Sequence, residues 1–356
     1  MKSTIIERAL RGEFVLIAEI GVNYYDIAKE RKISPIDAAK LMISEAKKAG
    51  IHAVKFQSYK ASTLAAKESP YYWDITEEPT RSQFELFQKF DAFGENEYRI
   101  LADYCRELDI EFCSTAFDFE SADYLCDMME VYKISSSDLS NIPFIEYQAQ
   151  KGKPILLSVG ASDADEIDTA IAAIRRHNSL PLVILHCVLE YPTPYEHANL
   201  NKITSLKEKY PDCIIGYSDH TKPDSAFDVV KTAYNLGAIV VEKHYTLNKT
   251  LTGNDHYHAM DPKDATEILN GITFIDGIRG CGEIVCLDTE KAALKNVRRS
   301  VVSKGKILAG EAITLDNCVF KRPGTGISPS CFAELIGKKI TANIEDDTIL
   351  TWDMFD

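Results

Sequence analysis

Two apolar runs late in the chain finish on histidine. IIGYSDH closes on His220, and IVVEKHY carries His244. The carboxyl ends of neighbouring strands in a parallel barrel open into one mouth. Two imidazoles there can share a divalent metal and leave positions open for water and substrate oxygens. An N/O shell without thiolate suits Mn, Fe, Co or Zn alike. Lys55 in VKFQ and Lys133 in YKISS sit inside apolar strands. A buried ammonium needs an anion beside it or its pKa falls. A phosphate or carboxylate ligand meets that need, and a Schiff-base lysine is the competing chemistry. Ser114 and Thr115 end strand three, Ser135 to Ser137 end strand four, Ser158 ends strand five, and Ser218 shares a face with His220. Such hydroxyls, with loop amides, complete an oxyanion shell that lysines begin.

Carboxylates complete the set. Glu19 in AEIG ends the first strand and reads as a base, a partner of metal-bound water, or an acceptor for a sugar hydroxyl. Asp255 in TGNDHYH follows the eighth strand, and His256 and His258 beside it read as third ligands or loop residues. Lys243 alternates away from Glu242 and His244, which makes it structural. Asp219 alternates away from Ser218 and His220 and is expected to hold an imidazole from behind. His52 and His177 lie at element boundaries and are expected at the surface; the direction of His186 depends on register.

These residues need a scaffold that brings strand ends together. Apolar runs at 14–21, 52–57, 111–116, 131–136, 154–159, 182–187, 214–220 and 239–245 alternate with amphipathic stretches such as PIDAAKLMISEAKKAG and ADEIDTAIAAIRRH. Eight such units predict a closed (β/α)8 TIM barrel, α/β in class. The rival, an open doubly wound sheet, usually shows a Gly-rich turn after its first strand, and none is seen here. The segment from Ser58 to Gly94 is a long loop after strand two, expected as a lid or subunit contact. The pattern then changes to short strands with Gly turns. The predicted division is a barrel over 1–282, a linker over 283–296 and a small β-rich domain over 297–356.

Composition narrows the function. The 356 residues carry a net charge of −14, which argues against a nucleic acid or anionic membrane as partner. An anionic substrate must therefore find a local basic pocket. No apolar run approaches the roughly 18 residues of a membrane helix, and MKSTIIERALRGEF has no apolar signal core. Nine scattered cysteines without a CxxC pair fit a reducing compartment, so a cytoplasmic protein is expected.

The motifs AEIGVN, VKFQ, STAFD, YKISSSD, GKPILLSVGAS, HCVLEYPTPYE, IIGYSDHT, VEKHYTL and KRPGTGISP occur in this order. Together they resemble the sialic acid synthase family, whose members make nonulosonic 2-keto acids from phosphoenolpyruvate and an amino sugar. The β-rich end looks like that family's antifreeze-like SAF domain. The resemblance implies that His220 and His244 bind a divalent metal, commonly manganese, with Mg, Co, Fe or Zn as alternatives. It implies that Lys55, Thr115, Lys133, Ser136, Ser158 and Ser218 hold phosphoenolpyruvate, and that Glu19, Gln57, Tyr191 and Asp255 face the sugar. Arg322 in KRPG would reach the N-acetyl group from the other copy of a domain-swapped homodimer. Glu19, His220 and His244 would carry the chemistry.

The implied sugar is an open-chain N-acetylated one, N-acetylmannosamine first. Three departures bear on it. Tyr24 stands where many relatives carry His, Leu189 replaces a common Asn, and YYDIAKERKIS lengthens the first loop. An apolar Leu189 suits a deoxy or acylated sugar, so a legionaminic acid synthase using 2,4-diacetamido-2,4,6-trideoxymannose is the alternative, ahead of a 6-phosphorylated sugar. Outside this chemistry stand a Schiff-base aldolase and a non-catalytic carbohydrate-binding protein.

Overall fold

The computed structural model describes residues 3–73, 75–253 and 255–356. The chain divides into two compact units, Met1–Ile278 and Arg279–Asp356. In the first, eight parallel strands run in chain order: β1 (Val15–Gly21), β2 (Ala53–Ser58), β3 (Glu111–Ala116), β4 (Tyr132–Ile134), β5 (Ile155–Ser158), β6 (Leu182–Cys187), β7 (Ile214–Asp219) and β8 (Val240–His244). β1 pairs with both β2 and β8, closing the barrel and excluding the open sheet.

Side-chain alternation gives each strand two faces. Leu16, Phe56, Phe112, Tyr132 and Val241 join the large outer core together with buried helix residues. Val15, Ile17, Ala53, Cys113, Leu156, Leu185 and Val240 form a separate apolar cluster in the interior. The helices start where the sequence supplies caps. Ser34 Oγ accepts the Asp37 amide ahead of Pro35–Lys48, and Pro35 fills the first position. Asp163 Oδ1 accepts the Glu166 amide, while Glu166 accepts the Asp163 amide, a reciprocal cap for Ala164–Arg175.

Two features escaped the sequence reading. A helix, Thr4–Leu10, precedes β1 and places Ile5, Ile6 and Ala9 in the interior apolar cluster. Glu111, at the start of β3, accepts from Ser3 Oγ (2.7 Å) and the Ile5 amide (2.8 Å). This helix therefore closes the end of the barrel opposite the strand tips. His52 is also not a simple surface residue. Its Nδ1 accepts the Leu16 amide at 3.0 Å, and burial pushes its pKa down to about 4. His177 is exposed as expected.

In the second unit β9 (Ser300–Ser303) and β10 (Cys318–Lys321) pair antiparallel around a small core that includes Val301, Ile307, Ile313, Ile327 and Leu350. The segment 283–296 falls in this unit and contributes most of the helix Lys291–Val297. No helix among the described residues is long and apolar enough to cross a membrane.

Gly216 shows how tightly the interior is filled. A Cβ there would lie 2.3 Å from the Val240 carbonyl oxygen and 2.4 Å from Leu185 Cδ2. Gly216→Ala is expected to destabilise the barrel by about 1–3 kcal/mol through overpacking. Chemical denaturation of the two proteins checks this, and an unchanged midpoint would contradict it.

Candidate active site

Above the apolar floor, the same inward alternation turns polar. Glu19 on β1 sits in register with Lys55 on β2 and His244 on β8. Thr115 on β3 pairs with Gln57 on one side and Lys133 on the other. Ser218 on β7 pairs with Cys187 and Glu242. All of these line one cavity of about 630 Å³, as do Ser136, Ser158, Tyr191, His220 and Asp255. Every barrel residue predicted for the site is thus brought to one mouth. Arg322 is exposed just after β10, in the second unit.

Four buried charges dominate the cavity floor. Lys55 Nζ contacts Glu19 Oε2 and lies 3.6 Å from Glu242 Oε1; Lys133 Nζ lies 3.8 Å from the same Glu242 oxygen. Burial disfavours every one of these charges, and its balance against their partners decides the outcome. At Lys55 the two carboxylates outweigh burial and raise the pKa, whereas at Lys133 burial prevails and lowers it. Burial is likewise outweighed at Glu242, where both ammoniums hold the pKa down. At Glu19 burial wins over the pull of Lys55, and Glu242 adds repulsion, so the pKa rises to about 7. Of two carboxylates sharing two ammoniums, one stays ionised and the other titrates near neutrality.

The hydroxyls border these charges. Lys55 donates to Thr115 Oγ1 at 3.1 Å, Ser218 Oγ donates to Glu242 Oε1 at 3.2 Å, and Ser136 Oγ accepts the Gly160 amide at 2.9 Å. The buried Ser158 Oγ has no hydrogen-bond partner among the described residues. Gln57 Nε2 donates to Glu19 Oε1 at 2.8 Å. An anion with several oxygens would find two ammoniums and an unused hydroxyl here.

The imidazoles stand along one edge. The ring centroids of His220 and His244 are 5.3 Å apart, and the Tyr191 ring is 4.1 Å from His220. A carbonyl can only accept, so the 2.8 Å contact between His220 Nδ1 and the Val188 oxygen puts the proton on Nδ1 and leaves Nε2 as a ligand atom. His244 Nδ1 lies 3.4 Å from Asp255 Oδ2 and is otherwise unpartnered among the described residues. Burial, reinforced by neighbouring positive charge, keeps the His244 pKa well below the usual histidine range, so its ring is neutral. These donors fit a divalent metal. Of the two histidines left open by the sequence, His258 faces His244 with ring centroids 4.9 Å apart. His256 turns to Thr246 Oγ1 (2.7 Å) and Asp26 (3.5 Å). His186 donates to the Ala198 carbonyl and stacks on Tyr217 on the outer face of the wall.

Asp219 does not hold an imidazole. Its parity sends it to the outer face, where it accepts from Tyr217 Oη and the Thr221 amide and pairs with Lys243 at 2.6 Å. Tyr24 also stays out of the cavity lining. It starts the helix Tyr24–Arg31, and its ring lies 4.7 Å from Phe93 and 5.9 Å from Phe56. Leu189 does line the cavity.

The long segment after β2 covers the mouth. It contributes Leu64, Tyr72, Trp73, Leu86, Phe87 and Phe90 to the lining. Trp73 Nε1 donates to the carbonyls of Glu78 and Thr80, and the Gly253 amide donates to Glu77, which ties this segment to the loop after β8.

The NeuB family model matches residues 42–283, and the SAF domain model matches residues 298–356. The chain belongs to the NeuB family. It is 33% identical to the N,N'-diacetyllegionaminic acid synthase of Legionella pneumophila, over 95% of this chain and 93% of that one. It is 31% identical to the N-acetylneuraminate-9-phosphate synthase of Mus musculus, over 94% and 91%. A crystal structure of N-acetylneuraminic acid synthetase from Leptospira borgpetersenii, in complex with citrate, superposes with a TM-score of 0.68 at 31% identity, over 79% of this chain and 90% of that one. This NeuB-family protein is an enzyme of the sialic acid synthase type, a transferase.

Sequence reasoning overlooked Glu242 as a site residue, although its parity with His244 was visible. What hid its role was the neighbouring strands, since its partners Lys55 and Lys133 arrive from β2 and β4. On the outer face, the Asp219–Lys243 pair is sealed, with both side chains 1% exposed. Asp219→Asn leaves an uncompensated buried ammonium and should cost about 3–5 kcal/mol in denaturation experiments. A loss below 1 kcal/mol would show that the pair does not brace the histidine-bearing strands.

Proposed function

We propose that this chain condenses phosphoenolpyruvate with an open-chain N-acetylated amino sugar and water, giving a sialic-acid-type 2-keto acid and phosphate. The observation that carries the reading is the buried Lys55–Lys133 pair, bordered by Thr115, Ser136, Ser158 and Ser218 at one level of the mouth. In this reading these six residues hold phosphoenolpyruvate, with the lysines as anion holders and not Schiff-base formers. Gln57, Tyr191 and Asp255 orient the sugar, joined by Arg322 from a second copy in a domain-swapped dimer. His220 and His244 would hold the metal, manganese in our reading. Bound there, a divalent ion supplies Lewis acidity toward the aldehyde oxygen.

The protein's own residues set up the rest. The methylene carbon of phosphoenolpyruvate bonds to the aldehyde carbon, whose oxygen gains a proton. Water adds at carbon two, and its oxygen becomes the keto oxygen when phosphate departs with the bridging oxygen. Glu19, beside Gln57 and Lys55, takes the proton from that water. Its pKa of about 7 suits a base working near neutrality. The base must be ionised, so kcat/KM is expected to fall as pH drops through about 7. Glu19→Gln should remove that limb and lower kcat by ~10²–10⁴-fold. A Gln variant that kept the limb would assign the titration elsewhere.

The direct test is phosphate release from phosphoenolpyruvate with Mn²⁺ and a panel of amino sugars. Release is expected only with both substrates, and His220→Ala should abolish it. No release with any sugar from folded protein would favour the binding-protein reading.

N-acetylmannosamine is the first candidate sugar, and the lining is compatible with a second. Leu189 and the covering residues Leu86, Phe87 and Phe90 offer apolar surface. Among the described residues lining the cavity, Lys55 and Lys133 are the only Lys or Arg, which leaves a sugar phosphate without a cation of its own. The second fact argues against a 6-phosphorylated sugar, and the first suits the methyl and second acetamido group of 2,4-diacetamido-2,4,6-trideoxymannose. Burying its methyl and second acetamido group should give roughly 10–200-fold higher kcat/KM than N-acetylmannosamine. Equal or reversed preference would return the reading to N-acetylmannosamine.

A further inference from the structure

His258, left open by the sequence as a third ligand or a loop residue, has no part in the proposed reaction. It is completely buried, and neither ring nitrogen has a hydrogen-bond partner among the described residues. Buried polar groups in native proteins are almost always paired, so an imidazole with two idle nitrogens needs an explanation. What it faces supplies one. Its Nε2 lies 3.7 Å from Asp255 Oδ1, and its ring is 4.9 Å from that of His244. His244 Nδ1 is also idle and lies 3.4 Å from the other Asp255 oxygen. One ligand atom from each of His244, Asp255 and His258 falls within 4.8 Å of the other two.

We infer that Asp255 and His258 add ligand atoms to the divalent-metal site of His220 and His244, with His258 reaching it from behind the cavity lining. Two imidazoles and one carboxylate are a donor set that would suit Fe, Mn, Co or Zn. The loop geometry supports it. His256, between the two new ligands, bonds to Thr246 Oγ1, and Tyr257 Oη donates to the Tyr191 carbonyl at 3.1 Å, so the loop is fastened at both residues between Asp255 and His258. The inference deepens the metal reading above and rests on it. It makes Asp255 a ligand as well as a sugar contact, and it adds protein ligands from the loop after β8 to the two strand histidines.

The test is metal binding to the full chain after chelator stripping, read without turnover. Mn²⁺ affinity is measured by calorimetry, the Co²⁺ absorption spectrum reports coordination, and thermal melting with and without metal reports linkage. His258→Leu should weaken Mn²⁺ binding by at least about tenfold, change the Co²⁺ bands, and lose the metal-dependent rise in melting temperature. Its metal-free melting should stay at or above that of the unmodified protein, since the idle imidazole stabilises nothing without the ion. His258→Gln, more conservative in polarity, guards against misfolding and should lose affinity in the same way. Unchanged affinity and bands in both variants, with loss in His220→Ala and His244→Ala, would overturn this inference and leave the two-histidine reading standing. Failure of the unmodified protein to bind any of these metals would overturn both.

Discussion

A barrel mouth holding two ammoniums and two carboxylates out of water is the constraint on which the other features turn. Lys55 and Lys133 cannot stay charged there alone, and Glu19 and Glu242 cannot either. The set is tolerable because strand parity and register deliver all four to one level. Its charge balance has a chemical consequence. Glu242 is the carboxylate that remains ionised between the lysines, and Glu19 is the one left near its titration point. In the proposed reaction a multivalent anion would meet cations already oriented, in a molecule whose overall charge repels it. The local field, not the net charge of −14, governs what binds.

Much of this was legible in the sequence because strands have a period of two. The runs ending at His220 and His244, and the lysines inside VKFQ and YKISS, declare both the strand and the inward face. The limit of that logic lies between strands. Parity told that Asp219 and His220 point opposite ways, but only the pairing of β7 with β8 showed that Asp219 meets Lys243 and not an imidazole. Glu242 was overlooked for the same reason. Loops obey no period, so nothing in TGNDHYH distinguished His258, which packs against His244, from His256, which bonds to Thr246. The helix Thr4–Leu10 was missed because its use as a barrel floor depends on Glu111, more than a hundred residues away.

The covering segment after β2 links the anion site to the question of the sugar. It is held by Trp73 bridging two carbonyls and by the contact between Glu77 and Gly253, so the apolar surface it presents is coupled to the loop that carries Asp255 and His258. Positioning of that loop and shaping of the proposed sugar pocket therefore depend on the same few contacts. Substitutions in this segment are expected to act on sugar choice while leaving the lysine cradle intact.

The account rests most heavily on the lysine cradle, and a crystal structure with phosphoenolpyruvate and Mn²⁺ bound tests it directly. The account predicts anion density in contact with both Lys55 and Lys133, with an anomalous manganese peak against His244. Density for the anion away from these lysines, with Lys55 still bound to Glu19 and the imidazoles bare of metal, would contradict it.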